Sequence, residues 1–180
     1  RDPGRFHVPG HKGGTAAEIA ELTALTMRAA TPVENWEAQF ELAYLYLRGH
    51  GVPRDVEKGM GMLRLAAERG RAEGMAKLGT MFEGGSIVAK DFQAARHWYE
   101  RAAAAGSVYA AAALGDMYIE ARGVSRDNLQ AYKWFYLAGL LLPPGEKRNE
   151  QWRAADDVGT ALSREQVAEA RRQAQALLTR

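Results

Sequence analysis

Residues 107–142 read SVYAAAALGDMYIEARGVSRDNLQAYKWFYLAGLLL and form one copy of a 36-residue pattern that occurs three times in the chain. The copies at 35–70, 71–106 and 107–142 align without gaps. Several columns of this alignment keep one residue type: Leu42, Leu78 and Leu114; Asp55, Asp91 and Asp127; and Ala66, Ala102 and Ala138. Self-similarity at a fixed period of this length is typical of repeat architectures, in which each copy is one supersecondary unit.

The first half of each copy predicts a helix that ends in a glycine-rich turn. In the first copy Ala38, Leu42, Leu45 and Tyr46 follow the i, i+4, i+7, i+8 spacing of one buried helical stripe. The run RGHGVP at 48–53 follows this stripe. Because glycine adopts the left-handed conformation at little cost, this run is suited to end a helix and turn the chain.

The second half of each copy predicts another helix. Asp55 lies where this helix begins, so its carboxylate can accept hydrogen bonds from free backbone N–H groups. Apolar residues such as Leu63 and Ala66 follow, and Gly70 ends the unit. The same offsets recur in the third copy, and each copy is therefore expected to be a helical hairpin.

A column of small residues lies in the middle of the first helix, at Ala43, Gly79 and Gly115. Glycine inside an exposed helix costs roughly 1 kcal/mol relative to alanine. We therefore expect the backbone of a neighbouring helix to approach closely at this column. The aromatic column at Tyr46, Phe82 and Tyr118 is expected to fill the adjacent gap.

The segments on either side of the repeats carry their own helix signals. Residues 15–18 (TAAE) form a capping box that predicts a helix to about Ala30. Thr31 followed by Pro32 is a second start signal, which predicts that the first repeat helix begins near Pro32.

After the repeats, the PPG run at 143–145 breaks the chain, and a helix is expected over about 146–158. A capping box at Ser163 predicts a last helix that ends near Leu178. The expected organisation is an arm at 1–14, an N-terminal helix and the start of the array at 15–34, three repeats over 35–142, and C-terminal capping helices at 143–180.

Composition excludes several classes of function. The chain has 180 residues, no cysteine and a formal net charge of +2, so it offers neither a thiolate site nor a strong positive field for nucleic acid. No apolar run approaches the ~20 residues that a membrane-spanning helix needs. Because the chain begins with Arg1 rather than methionine, we expect it to be part of a longer or processed protein.

The columns L-G-x-x-Y, G-x-G-V, a lone D, W-x-x-x-A and a closing G resemble the Sel1-like repeat, a relative of the tetratricopeptide repeat. This resemblance covers roughly residues 35–142 and implies an all-α fold, an α-solenoid of antiparallel helix pairs stacked into a superhelix. It further implies a non-enzymatic scaffold or adaptor that binds a protein or peptide partner in its concave groove. Many bacterial members work in the cell envelope, which favours the envelope over the cytoplasm.

The groove of such an array is lined mainly by the first helix of each pair, and a polar stripe beside the core stripe supplies the candidate residues. These are Glu37, Glu41, Tyr44 and Arg48 in the first copy, Glu73, Lys77 and Thr80 in the second, and Tyr109, Asp116 and Glu120 in the third. Their chemistry varies between copies while the core columns hold, which is typical of a surface that reads a ligand. Mixed charge with two tyrosines suits a polar peptide or protein.

Two other functions stay open from the sequence. The array could be a regulatory or spacer module of a larger envelope or signalling protein, without a ligand of its own. Alternatively, His7, His11 and Lys12 in the arm could belong to an enzyme or a metal or cofactor site. The run FHVPGHKGG at 6–14 resembles a segment of the ornithine, lysine and arginine decarboxylases, which use pyridoxal phosphate. That match covers nine residues of a much larger fold, so we interpret the run as an arm.

Overall fold

A computed structural model describes residues 16–30 and 35–179, and every regular element within these two ranges is an α-helix. The helices are α1 (Ala16–Ala30), α2 (Trp36–Arg48), α3 (Val56–Arg69), α4 (Arg71–Gly84), α5 (Phe92–Ala104), α6 (Val108–Glu120), α7 (Asn128–Leu140), α8 (Glu146–Gly159) and α9 (Arg164–Leu178). The predicted all-α fold of repeated helix pairs is therefore confirmed. The first helices of the three repeats are α2, α4 and α6, and the second helices are α3, α5 and α7.

The chain divides into two compact units, Arg1–Gly70 and Arg71–Arg180. In the first unit α2 packs against both α1 and α3. In the second unit the helices pack in chain order from α4 to α8, and α9 also packs on α7. The predicted arm at 1–14 lies outside the described residues.

The helix start expected near Pro32 is wrong for α2. The start signal at 31–34 lies outside the described residues, and α2 begins at Trp36. The side chain of Asn35 accepts a hydrogen bond from the backbone N–H of Ala38 at 3.1 Å, so this residue caps the helix. The other flanking expectations agree closely: α8 begins at Glu146, and α9 begins after a complete capping box formed by Ser163.

One aspartate in each repeat caps the second helix and also closes the turn that precedes it. Its carboxylate accepts the backbone N–H of the residue three positions on, in the pairs Asp55 and Lys58, Asp91 and Ala94, and Asp127 and Gln130. Its own backbone N–H donates to the carbonyl of the aromatic residue nine positions earlier, which is Tyr46, Phe82 or Tyr118. The predicted cap is thus also the residue that ties the turn to the end of the first helix.

The turn after each first helix begins with a residue in the left-handed conformation. Gly49 and Gly85 have φ of 72° and 67°, and Ala121 keeps the same conformation at φ 56° despite its Cβ. The next glycine column differs, because Ile87 does not have a positive φ whereas Gly51 and Gly123 do. The second turn therefore follows a different backbone path at Ile87, because a β-branched side chain disfavours a positive φ.

The expected approach of a helix backbone to the small-residue column is found in the first repeat, where a Cβ on Gly59 of α3 would lie 3.0 Å from the Ala43 carbonyl oxygen. In the second and third repeats the column accommodates aromatic rings instead. A Cβ on Gly79 would lie 2.6 Å from the ring of Tyr99, and one on Gly115 would lie 2.7 Å from the ring of Phe135. In the first repeat the two equivalent positions hold Ala43 and Leu63. The first helix thus has alanine where the second helix has an aliphatic side chain, and it has glycine where the second helix has an aromatic ring.

The core of the second unit consists of fully buried side chains that include Tyr99, Leu114, Met117 and Leu137. The aromatic column contributes to this core, because Phe82 and Tyr118 are partly buried and pack against the cluster. In the first unit Leu63 of α3 is fully buried as well. The predicted core stripes are therefore the observed cores.

Helices α8 and α9 pack on α7 through small residues and a stack of aromatic rings. Ala155 and Ala170 are fully buried beside Tyr132. The Tyr136 ring stacks on Tyr132 and on Trp152, with centroid distances of 6.0 Å in both cases.

Two arginines flank this aromatic stack. The Arg148 guanidinium lies 4.3 Å from the centroid of Trp152, and Arg171 donates from Nε to the Tyr132 hydroxyl at 2.8 Å. Cation–π contacts of this kind add stability beyond the area that is buried. The stack therefore fastens α8 and α9 to the last repeat.

Adding a methyl group at Gly115 should destabilise the protein by about 1–3 kcal/mol, because overpacking outweighs the gain in helix propensity. The same Gly115→Ala change should cost less in a Phe135→Leu background, which restores the pairing found in the first repeat. Urea unfolding of the four proteins measures this coupling. Gly61→Ala is the matched control, since a Cβ there meets no atom within 4 Å. A Gly115→Ala protein as stable as the Gly61→Ala protein would contradict the packing argument.

Removing one aspartate cap should destabilise the hairpin that contains it. We expect Asp91→Ala to lower the free energy of unfolding by about 0.5–2 kcal/mol. Asp91→Asn should retain most of the stability, because the amide oxygen can still accept the backbone N–H groups of the first turn. Chemical denaturation followed by circular dichroism distinguishes the two variants, and equal losses for alanine and asparagine would argue against capping.

Candidate protein-binding site on the first helices

In the first unit, the four predicted groove residues lie along α2. Glu37, Glu41 and Tyr44 are each partly buried, and Arg48 is exposed at the last turn. The Arg48 guanidinium lies 5.5 Å from the centroid of the Tyr44 ring. The structure therefore brings these last two residues together, while the two glutamates lie one and two turns further toward the start of the helix.

In the second unit, the six predicted groove residues are all exposed. We call them the α4–α6 face: Glu73, Lys77 and Thr80 on α4, and Tyr109, Asp116 and Glu120 on α6. The two helices meet in this face through Thr80, whose hydroxyl lies 3.1 Å from the Ala76 carbonyl and 3.4 Å from the Tyr109 hydroxyl. Tyr109 is 57% exposed, so an aromatic ring stands at the surface of this face.

A buried tyrosine of α5 supports the face from behind. Tyr99 makes an edge-on contact with Tyr109, with a centroid distance of 6.2 Å and an interplanar angle of 70°. Its hydroxyl donates to Glu83 Oε2 at 2.8 Å and lies 3.2 Å from Thr80 Oγ1. Burial raises the pKa of Tyr99 well above its usual range, and the nearby Glu83 carboxylate adds to this effect. The phenol therefore stays neutral and can act as a hydrogen-bond donor.

An ion-pair network lies at the other end of the face. Arg122, in the turn after α6, pairs with Glu83 of α4 through Nη1. Its Nε also lies 2.9 Å from Glu120 Oε2. The Glu83 side chain is only 18% exposed and receives both the Tyr99 hydroxyl and the Arg122 guanidinium. Because a buried carboxylate needs such partners, the network links the second and third repeats.

Asp116 lies on α6, and the charges of this network affect its carboxyl group. Although solvent reaches its side chain, desolvation by the surrounding protein raises the pKa of its carboxyl group. Attraction by Arg122 works against this shift, while repulsion by Glu120 and Glu83 adds to it. The environment of Asp116 thus disfavours its negative charge, and a cation placed beside it would relieve that cost.

Comparison with known proteins agrees with the repeat pattern and the helix pairs. The Sel1 repeat model matches residues 36–70, 72–107 and 108–141, which together make up more than half of the chain. The chain belongs to the Sel1 repeat family. It is 34% identical to a Sel1 repeat protein from Oxalobacter formigenes, over 74% of this chain and 97% of that one, with a TM-score of 0.51.

A second solved structure resembles this Sel1 repeat protein in fold. It is c5321, a protective antigen of uropathogenic Escherichia coli strains with an SLR fold. The identity is 22% and the TM-score is 0.50, over 92% of this chain and 46% of that one, so the present chain spans about half of c5321. No curated protein matches the chain significantly. Sel1 repeats are generally protein-interaction modules and typically non-enzymatic.

Sequence reasoning missed three residues that contact or support the α4–α6 face, namely Glu83, Tyr99 and Arg122. One signal was available for Glu83, because its repeat column otherwise holds the apolar residues Leu47 and Ile119. A charged residue in an apolar column indicates a specific partner. Tyr99 was hidden because it reads as an ordinary core aromatic, and Arg122 because its turn is expected to be solvated.

The other chemical candidates of the sequence receive no support from the described residues. His7, His11 and Lys12 lie outside them. His50 and His97 are exposed, and the His97 ring lies edge-on to Trp98 at 5.9 Å. No group of three or more His, Cys, Asp or Glu side chains within 16–30 and 35–179 could hold a metal ion. None of the helices in this part of the chain is long and apolar enough to cross a membrane.

Neutralising Asp116 should stabilise the protein at neutral pH. Because the folded-state pKa of Asp116 is raised above its unfolded value of 3.8, the unfolded state loses the proton first as pH rises. The unfolding free energy of the wild type therefore falls as pH rises through this window. We expect Asp116→Asn to raise the melting temperature at pH 7 and to have little effect below about pH 3, where both states are protonated.

Glu169→Gln is a control for which we expect the opposite change in melting temperature. Hydrogen bonds from Gln173 and Arg172 lower the pKa of Glu169, so its charged form is favoured in the folded state. Replacing it should slightly lower the melting temperature at pH 7, and this loss should disappear as pH falls below the folded-state pKa. Melting curves across the pH range that show the same sign for both variants would contradict the assignment for Asp116.

Proposed function

We propose that this Sel1 repeat chain is a non-enzymatic adaptor that binds a protein or peptide segment along the polar stripes of its first helices. In the second unit the binding surface is the α4–α6 face. In the first unit it is the equivalent stripe on α2, at Glu37, Glu41, Tyr44 and Arg48. The family context supports this proposal, since Sel1 repeats generally mediate protein–protein interaction.

The observation that carries the proposal is the support given to Tyr109. An exposed aromatic side chain normally retains rotamer freedom, which a partner must remove on binding. The Tyr99 ring and the Thr80 hydroxyl both contact this side chain while 57% of the residue stays exposed, and we expect these contacts to limit its rotamers. Tyrosines that are ordered before binding are favourable anchors at protein interfaces.

The proposal predicts that a partner depends on Tyr109. Wild type, Tyr109→Ala and Leu178→Ala proteins would be used for affinity capture from the native cell, with quantitative mass spectrometry of what co-elutes. Leu178 is a matched control, because it is also apolar and exposed but lies at the end of α9. At least one protein should be retained by the wild type and the control and reduced roughly 10- to 30-fold by Tyr109→Ala, as for an interface hot spot.

The α2 stripe is tested separately by Glu37→Lys and Glu41→Lys combined with Tyr44→Ala. Helicity and the melting temperature of each variant must match those of the wild type for the comparison to be valid. Equal recovery of every captured protein by the wild type and by both sets of face variants would contradict the proposed binding surfaces.

A further inference from the structure

We infer that the α4–α6 face takes an extended peptide segment that carries lysine or arginine side chains. This inference rests on the proposed function and names the class of partner for the same face. It starts from Tyr109, whose exposed ring provides a π face that attracts cations. The ring is ordered by contacts with two helices, so a cation can stack on it at a small additional cost in entropy.

The charges around Tyr109 determine whether a bound partner should be positively or negatively charged. The α4–α6 face and the network beneath it contain four carboxylates, at Glu73, Glu83, Asp116 and Glu120, against the cations of Lys77 and Arg122. Arg122 is already engaged, because it pairs with both Glu83 and Glu120. An anionic peptide would therefore meet a surface with more negative than positive groups, on which Arg122 already pairs with two carboxylates.

Asp116 is the carboxylate of this surface that lacks a sufficient counter-charge. Its carboxylate is partly desolvated and is repelled by Glu83 and Glu120, and the attraction of Arg122 does not offset these effects. An uncharged apolar segment would desolvate this carboxylate further without compensating it. A lysine or arginine side chain would instead provide the missing counter-charge.

The spacing of the two recognition elements suits an extended chain. Tyr109 and Asp116 are seven residues apart on α6, which places them on one side of the helix about 10 Å apart along its axis. A peptide in the polyproline II conformation advances about 9 Å over three residues and returns its side chains to the same side. One cation can therefore stack on Tyr109 while a second pairs with Asp116.

The test uses a displayed library of random dodecapeptides selected on the immobilised wild-type chain. Enriched peptides should contain more lysine and arginine than the unselected library. Their affinity should fall roughly tenfold in Asp116→Asn combined with Glu120→Gln, and it should weaken as salt screens the charges. Asp156→Asn combined with Asp157→Asn on α8 makes the same change in net charge elsewhere and should leave the affinity unchanged.

Since Glu120 also pairs with Arg122, the single variant Asp116→Asn provides a second measurement in a protein that we expect to be at least as stable as the wild type. Enriched peptides that depend on Tyr109 but lack basic residues, or that bind Asp116→Asn with wild-type affinity, would overturn this inference and leave the proposed function standing. A selection that yields no Tyr109-dependent peptide would overturn both.

Discussion

In the second and third repeats, an aromatic ring of the second helix packs against a glycine of the first helix, and this contact determines how closely the two helices approach. Tyr99 lies on Gly79, and Phe135 lies on Gly115, at distances that leave no room for a methyl group. Buried aromatic rings provide large apolar areas, which stabilise a hairpin that could not bury enough surface by itself. The helix-propensity cost of each glycine is therefore offset by the packing of a ring.

This packing also organises the exposed face of the second unit. The Tyr99 ring packs against Gly79, its hydroxyl reaches Thr80 and Glu83 on α4, and the ring makes a T-shaped contact with Tyr109 on α6. The same tyrosine is thus a core residue through its ring and a surface organiser through its hydroxyl, as is common for amphipathic aromatic residues. Its raised pKa follows from that position, since the phenol is buried beside a carboxylate.

Within the second unit, the second and third repeats are further connected by polar contacts. Arg122 in the third repeat pairs with Glu83 in the second, and Gln93 at the start of α5 donates to the backbone carbonyl of Gly123. Each contact joins a turn to a helix of the preceding repeat. Since a repeat array is stabilised mainly by nearest-neighbour interfaces, such contacts help to hold α4 and α6 in place relative to one another.

Much of the fold was determined by the sequence, because its signals are local or periodic. The aspartate caps, the glycine turns, the capping box at Ser163 and the apolar stripes each act within one helix or one turn, and the period of the pattern repeats them. The positions of the candidate face on α4 and α6 follow from the same periodicity. The start of α2 was misjudged because two capping signals lie within a few residues, and Asn35 forms the cap of the described helix.

Only the tertiary structure decided which side chains meet across helices. The ring over Gly79, the Tyr99 hydroxyl on Glu83, and the pairing of Glu83 with Arg122, 39 residues away, depend on interhelical distance and rotamers, which no period in the sequence encodes. The physical reason is the range of the interactions. Helix caps and turns are satisfied by neighbours along the chain, whereas a buried carboxylate is satisfied by whatever donors the packed helices bring within hydrogen-bond distance.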